Sequence, residues 1–107
     1  MKWIKIYDSL AEAKQFLKDG RIAKHFIEEE FVCVVFSKNQ FFAFADRCPH
    51  KGYSFIGGKC QDGIVECPIH KYKFALGIDG ERTPLKIFPI ETNKDGVFVG
   101  KEPKSWF

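Results

Sequence analysis

Apolar and polar positions alternate along most of this chain, and turn residues break the alternation roughly every 8–12 residues. Trp3-Ile-Lys-Ile-Tyr7 predicts a first strand. Asp8 or Ser9 predicts the cap of a short helix that runs to about Leu17. Glu12 stands at the capping-box distance from Ser9, and Ala13, Phe16 and Leu17 form one apolar face. Asp19-Gly20 ends the helix. Arg21 to Ile27 alternates loosely, and Glu28-Glu-Glu30 reads as a charged turn. Phe31-Val-Cys-Val-Val-Phe36 is continuously β-branched and aromatic, as a buried strand would be. Ser37-Lys-Asn-Gln40 predicts a hairpin turn and Phe41 to Ala45 its returning strand. Gly57-Gly58 and Asp62-Gly63 bracket another hairpin, and Asp79-Gly80 and Asp95-Gly96 mark two more turns. Leu85 to Ile90, interrupted by Pro89, and Val97-Phe-Val99 read as closing strands. The pattern predicts an all-β fold, a small antiparallel barrel or sandwich with one short N-terminal helix.

Composition narrows the picture. The 107 residues suit a single domain, and twelve phenylalanines supply a core. A net charge of +3 is too mild to imply nucleic acid. The N-terminus lacks a signal-length apolar run, and no window approaches the ~20 apolar residues of a membrane helix. The expectation is a cytoplasmic protein, in which four cysteines point to metal or redox chemistry more than to disulfides.

The chemistry is concentrated in the middle of the chain, in CPHKGYSFIGGKCQDGIVECPIH. Cys48-Pro-His50 and Cys67-Pro-Ile-His70 are two cysteine–histidine pairs separated by sixteen residues. Thiolate and imidazole together suit zinc or iron–sulfur, not calcium or magnesium. A common zinc-finger layout puts two cysteines on a hairpin and two histidines on a helix; here each loop carries one of each, and no helix signal follows His70. A two-iron cluster fits this division, with both cysteines on one iron and both histidines on the other. Pro49 and Pro68 stiffen the two loops, and Gly52 and Gly58 read as places where backbone approaches a bulky cofactor.

Cys48-Pro-His50-Lys-Gly52 and Cys67-Pro-Ile-His70 resemble the Rieske [2Fe–2S] motif. Gly58, Phe74, Gly77 and the Phe44-Ala45-Asp46 lead-in match its flanks. The resemblance implies a Rieske-type antiparallel sandwich or barrel. Its base would comprise residues 1–45 and 84–107, with an inserted cluster-binding subdomain over about 46–83. It also implies that Cys48 and Cys67 hold the inner iron and His50 and His70 the outer one, with one cluster per chain.

Departures from the family indicate the branch. Respiratory members carry two more cysteines that join the loops, where this chain has Tyr53 and Ile69. They also carry a serine and a tyrosine that donate to the cluster, where this chain has Tyr72 and Phe74. The resemblance therefore implies the ferredoxin-like, low end of a range of about −150 to +300 mV. It implies a soluble, monomeric electron carrier between a flavin-dependent ferredoxin reductase and a terminal oxygenase or related acceptor, not itself an enzyme. The alternatives are a structural subunit of a larger reductase complex and a zinc-binding module. Lys51 and Lys71 follow the two histidines, with Lys59 and Lys73 nearby, either as ordinary solvated residues or as a rim that steers an acidic partner. Cys33 reads as a small core hydrophobe, Cys60 as a free thiol outside the ligand set, and His25 as a surface or half-buried residue.

Overall fold

The computed structural model describes residues 1–69 and 71–102; His70 and residues 103–107 lie outside the described residues. β1 (Lys2–Tyr7) leads into α1 (Leu10–Phe16). The Ser9 hydroxyl accepts the Glu12 amide at 3.1 Å, the bond that the Ser-x-x-Glu spacing predicts. A helix of seven residues is not stable by itself, and burial of Ala13 and the following Leu17 holds it in place.

β2 (Ala23–Ile27), β3 (Glu30–Ser37) and β4 (Gln40–Ala45) form a meander. Its turns, Glu28-Glu29 and Lys38-Asn39, have φ between 48° and 66° at all four residues, as two-residue hairpin turns of this twist require. β5 (Lys59–Gln61), β6 (Ile64–Glu66) and β7 (Lys73–Ala75) make a small sheet of their own. β8 (Ile87–Phe88) joins the meander beside β4, while β9 (Ile90–Asn93) and β10 (Gly96–Lys101) pair with β1. All these pairings are antiparallel.

Two details differ from the pattern-based expectation. The closing strand over Leu85–Ile90 is two strands in two sheets, because Pro89 has no N–H to continue a ladder. Its carbonyl still accepts the Gly100 amide at 2.9 Å, so the chain changes sheets without losing that bond. The second difference is β7, which pairs with β6 through Glu66↔Lys73, Val65↔Phe74 and Ile64↔Ala75.

β3 explains how the layers are organised. Val32, Cys33, Val34 and Val35 are all fully buried. Val32 and Val34 enter an apolar cluster with Leu17, Val97 and Val99. Cys33 and Val35 enter a second cluster with Phe44, Phe55, Leu76 and Leu85. The meander is thus covered on both faces, and its central strand reads as an unbroken apolar run for that reason. Each large side chain buried here contributes about 1.5–3 kcal/mol. Among the described residues no helix is long and apolar enough to cross a membrane.

Candidate metal centre

The second apolar cluster also contains Cys48 and Cys67. They come from two loops with the same backbone closure. In the first loop the Cys48 amide donates to the Tyr53 carbonyl at 2.8 Å; in the second the Cys67 amide donates to the Tyr72 carbonyl at 2.8 Å. Each bond spans five residues. The residue before each acceptor is left-handed: Gly52 at φ 77° and Lys71 at φ 59°. The two loops are therefore local copies, although their Cys–His spacings differ by one residue. Glycine adopts this φ freely, whereas lysine meets its Cβ against its own backbone.

The loops bring the two thiols into one buried cluster, where Cys48 raises the Cys67 thiol. Cys48 is 2% exposed and Cys67 is fully buried, and neither is in a disulfide. Burial pushes the Cys67 thiol above its ordinary value; the neighbouring Cys48 and the charge of Asp46 push it further, while the Ile69 amide, donating to its sulfur, works against them. A thiol that resists ionisation, as Cys67 does, needs a strong cation to become a thiolate, and a second buried thiol beside it makes the pair the chemistry of a soft metal site. His50 differs from them in being exposed, with its ring 4.0 Å from that of Tyr72 on the other loop. Among the described residues no three His, Cys, Asp or Glu side chains converge on a point that would hold a single ion. The donors divide into an inner pair of thiols and an outer imidazole. That division fits a centre with more than one metal, whose soft and borderline donors take different ends. The expectation for His70 lies outside the described residues.

The surroundings of the thiols are aromatic and dry. Phe44 of β4 packs edge-on to Phe55 at 5.2 Å, and Phe55 packs edge-on to Phe74 of β7 at 6.1 Å. This ladder runs from the meander, through the end of the first loop, to the strand behind the second. Tyr53 and Ile69, the positions of interest for a disulfide, are 46% and 40% exposed. Gly58 does not serve the purpose the sequence suggested. A Cβ there would overlap the Glu66 carbonyl, so this glycine lets the two halves of the region approach each other.

Cys60 lies in β5, is buried in the same apolar cluster, and hydrogen-bonds Ser37. Cys33 is in the core as expected, but its thiol also donates to Asp46 Oδ1 at 3.2 Å. The sequence reading placed Asp46 only in the lead-in that matches the family's flanks and gave its carboxylate no role of its own. Oδ1 also accepts the Phe55 amide at 2.7 Å, and Oδ2 accepts the Ser54 hydroxyl at 2.7 Å and pairs with Lys24 Nζ at 3.1 Å. Burial by itself would raise the Asp46 carboxyl, but the Phe55 amide, Ser54, Cys33 and Lys24 more than offset it and hold it below its ordinary value. The available signal was an acid at the end of an apolar strand, two residues before a cysteine.

Comparison with known proteins agrees with this geometry. The Rieske [2Fe-2S] domain family matches residues 7–88. The ferredoxin component of the alkene monooxygenase system of Xanthobacter autotrophicus is 29% identical over 92 residues, covering 81% of this chain and 75% of that protein. The ferredoxin component of biphenyl 2,3-dioxygenase from Rhodococcus jostii is 31% identical over 68 residues, covering 59% of this chain and 64% of its own length. Among solved structures, a complex of reduced oxygenase and oxidized ferredoxin in carbazole 1,9a-dioxygenase matches with a TM-score of 0.72 and 25% identity, covering 96% of both chains. The ferredoxin of carbazole 1,9a-dioxygenase from Nocardioides aromaticivorans shares the fold with a TM-score of 0.75 at 16% identity, over 95% of this chain and 100% of that one.

Proposed function

We propose, for a chain that belongs to the Rieske [2Fe–2S] domain family, that it is a one-electron carrier from a flavin-dependent reductase to a terminal oxygenase or related acceptor. It would work as a monomer with one cluster per chain. Cys48 and Cys67 would hold the inner iron as thiolates, and His50 and His70 the outer iron. The observation that carries this reading is the meeting of two buried thiols from two matched loops, with the first loop's imidazole turned to the surface. Relatives named as ferredoxin components, and a similar structure named as a ferredoxin with its oxygenase, support it.

When bound, the cluster supplies a single-electron couple with no bond made or broken in the protein. The residues of the chain prepare its setting. Phe55, Val65, Leu76 and Leu85 exclude water from the inner side. The Ile69 amide donates to the Cys67 sulfur. His50, exposed and stacked against Tyr72, is the edge that a partner meets. Lys51 and Lys71, both exposed, give that edge a positive rim suited to an acidic partner. Phe74 carries no hydroxyl to donate to a sulfur, and Tyr53 and Ile69 form no disulfide, which favours the low-potential end of the family range.

The test is direct. The purified protein should contain two irons and two acid-labile sulfides per chain, and dithionite should produce a paramagnetic signal. Reduction by a flavin reductase should proceed on the millisecond-to-second scale and slow as salt rises. One colourless zinc per chain would overturn the cofactor, and a cluster that no reductase reduces on that scale would overturn the role.

A further inference from the structure

The Asp46 carboxylate occupies an unusual place. It precedes the first loop, and it binds Ser54 and Phe55, which follow that loop. One side chain therefore grips both ends of the segment that carries Cys48 and His50. It is also tied to the meander, by Lys24 from β2 and by Cys33 from β3. All four contacts are donors, one of them an ammonium, and the side chain is 1% exposed. Four donors and no acceptor define an ionised carboxylate.

A buried fixed charge acts over a distance that a solvated one does not. Lys24, its counter-charge, is 36% exposed, so water screens the cation more than the anion. Asp46 stands two residues before Cys48, and Phe55, whose amide it accepts, packs in the apolar cluster that holds both thiols, so the less screened charge is the one tied to the thiol side. Reduction of a centre held there adds one electron, hence one negative charge, to a place already facing an anion.

We propose that Asp46 is the positioning residue of the first loop and that the Asp46–Lys24 pair sets the reduction potential of the centre, the carboxylate lowering it and the ammonium raising it. The inference rests on the cluster reading above and adds to it a specific pair of residues with opposite signs. A purely structural role predicts something else. Loosening the loop by either substitution would admit water and move the potential the same way in both variants.

The experiment compares the wild-type protein with Asp46→Asn, Lys24→Met and the double variant, each reconstituted and titrated at an electrode while circular dichroism reports the oxidation state. Iron and sulfide content are measured alongside. Asp46→Asn should raise the potential by about tenfold in the one-electron equilibrium, or ~59 mV. Lys24→Met should lower it by less, because the lysine is more exposed, and the double variant should fall between the two. Shifts of the same sign, or none in proteins with full iron and sulfide, would overturn the proposal while leaving the cluster reading intact. A wild-type protein without iron and sulfide would overturn that reading and this proposal with it. Should Asp46→Asn fail to assemble, Lys24→Met decides alone: a fall supports the pair's role, and a rise or no change refutes it.

Discussion

The first loop, residues 48–53, leaves the end of β4 and is followed by Ser54 and Phe55, which belong to no strand. The second, residues 67–72, is the tip of the β6–β7 hairpin, with Glu66 paired to Lys73 at its neck. Inside, the loops have the same five-residue closure. At the neck they have nothing in common. A ladder of backbone bonds holds the second loop, and a carboxylate with four donors holds the first. Backbone ladders are neutral and indifferent to side-chain identity. A buried carboxylate does the same mechanical work and also places a charge beside the thiols. Loops with matching closures therefore contribute unequally to the electrostatics of the site they share.

The comparison is broken most completely by removing what the loops deliver. Cys48→Ala, His50→Ala, Cys67→Ala or His70→Ala should each abolish iron and sulfide binding, read by metal analysis and visible absorbance. Next in size is Gly58→Ala. Its methyl group would overlap the Glu66 carbonyl where the two halves meet, and should cost about 3 kcal/mol in a thermal or denaturant melt.

Asp46→Ala separates the two necks. It strands the Phe55 amide, Ser54 and Lys24, and should cost about 2–3 kcal/mol. The loss should be local: the Phe55 amide should exchange with deuterium much faster, while the Leu76 amide, bonded to the Gly63 carbonyl behind the second loop, should keep its protection. Equal loss of protection at both amides would mean that the necks are not independent.

The matched left-handed positions give a smaller, two-signed test. Lys71→Gly should relieve the strain of a non-glycine residue and stabilise by about 1 kcal/mol, and Gly52→Ala should destabilise by about the same amount. In a domain of this size each change moves Tm by roughly 4–8 °C. Smallest of all is Cys60→Ser. Ser37 already offers a hydrogen bond there, so stability should change by about 1 kcal/mol or less, with iron and sulfide content unaffected.

Much of the architecture was legible in the residues. Ser9 and Glu12 announced the helix start, Lys38-Asn39 and Asp62-Gly63 the hairpins, and the run through Val32–Val35 a strand covered on both faces. β7 was not legible, because Lys-Phe-Ala is too short to show alternation and is a strand only because β6 lies beside it. The two-strand ending escaped for a related reason: Pro89 was read as a flaw in one strand, whereas it is the point at which the chain leaves one sheet for another. Gly58 was assigned to a cofactor approach because a sequence shows that space is needed but not what occupies it; the neighbour is the Glu66 carbonyl.

The cysteine and histidine side chains and their short spacings belong to the sequence itself. Thiolate and imidazole chemistry is a property of the side chains, and one or two intervening residues limit each bite through local chain reach. Asp46 is a different matter. Its partners lie up to thirteen residues away along the chain in hydrogen bonds alone, and further in the case of Lys24. Whether an aspartate is a solvated surface charge or a buried clasp depends on whether those donors surround it and exclude water. Only the packing of β2, β3 and the first loop's exit brings them together, so the charge beside the thiols is a product of the tertiary structure.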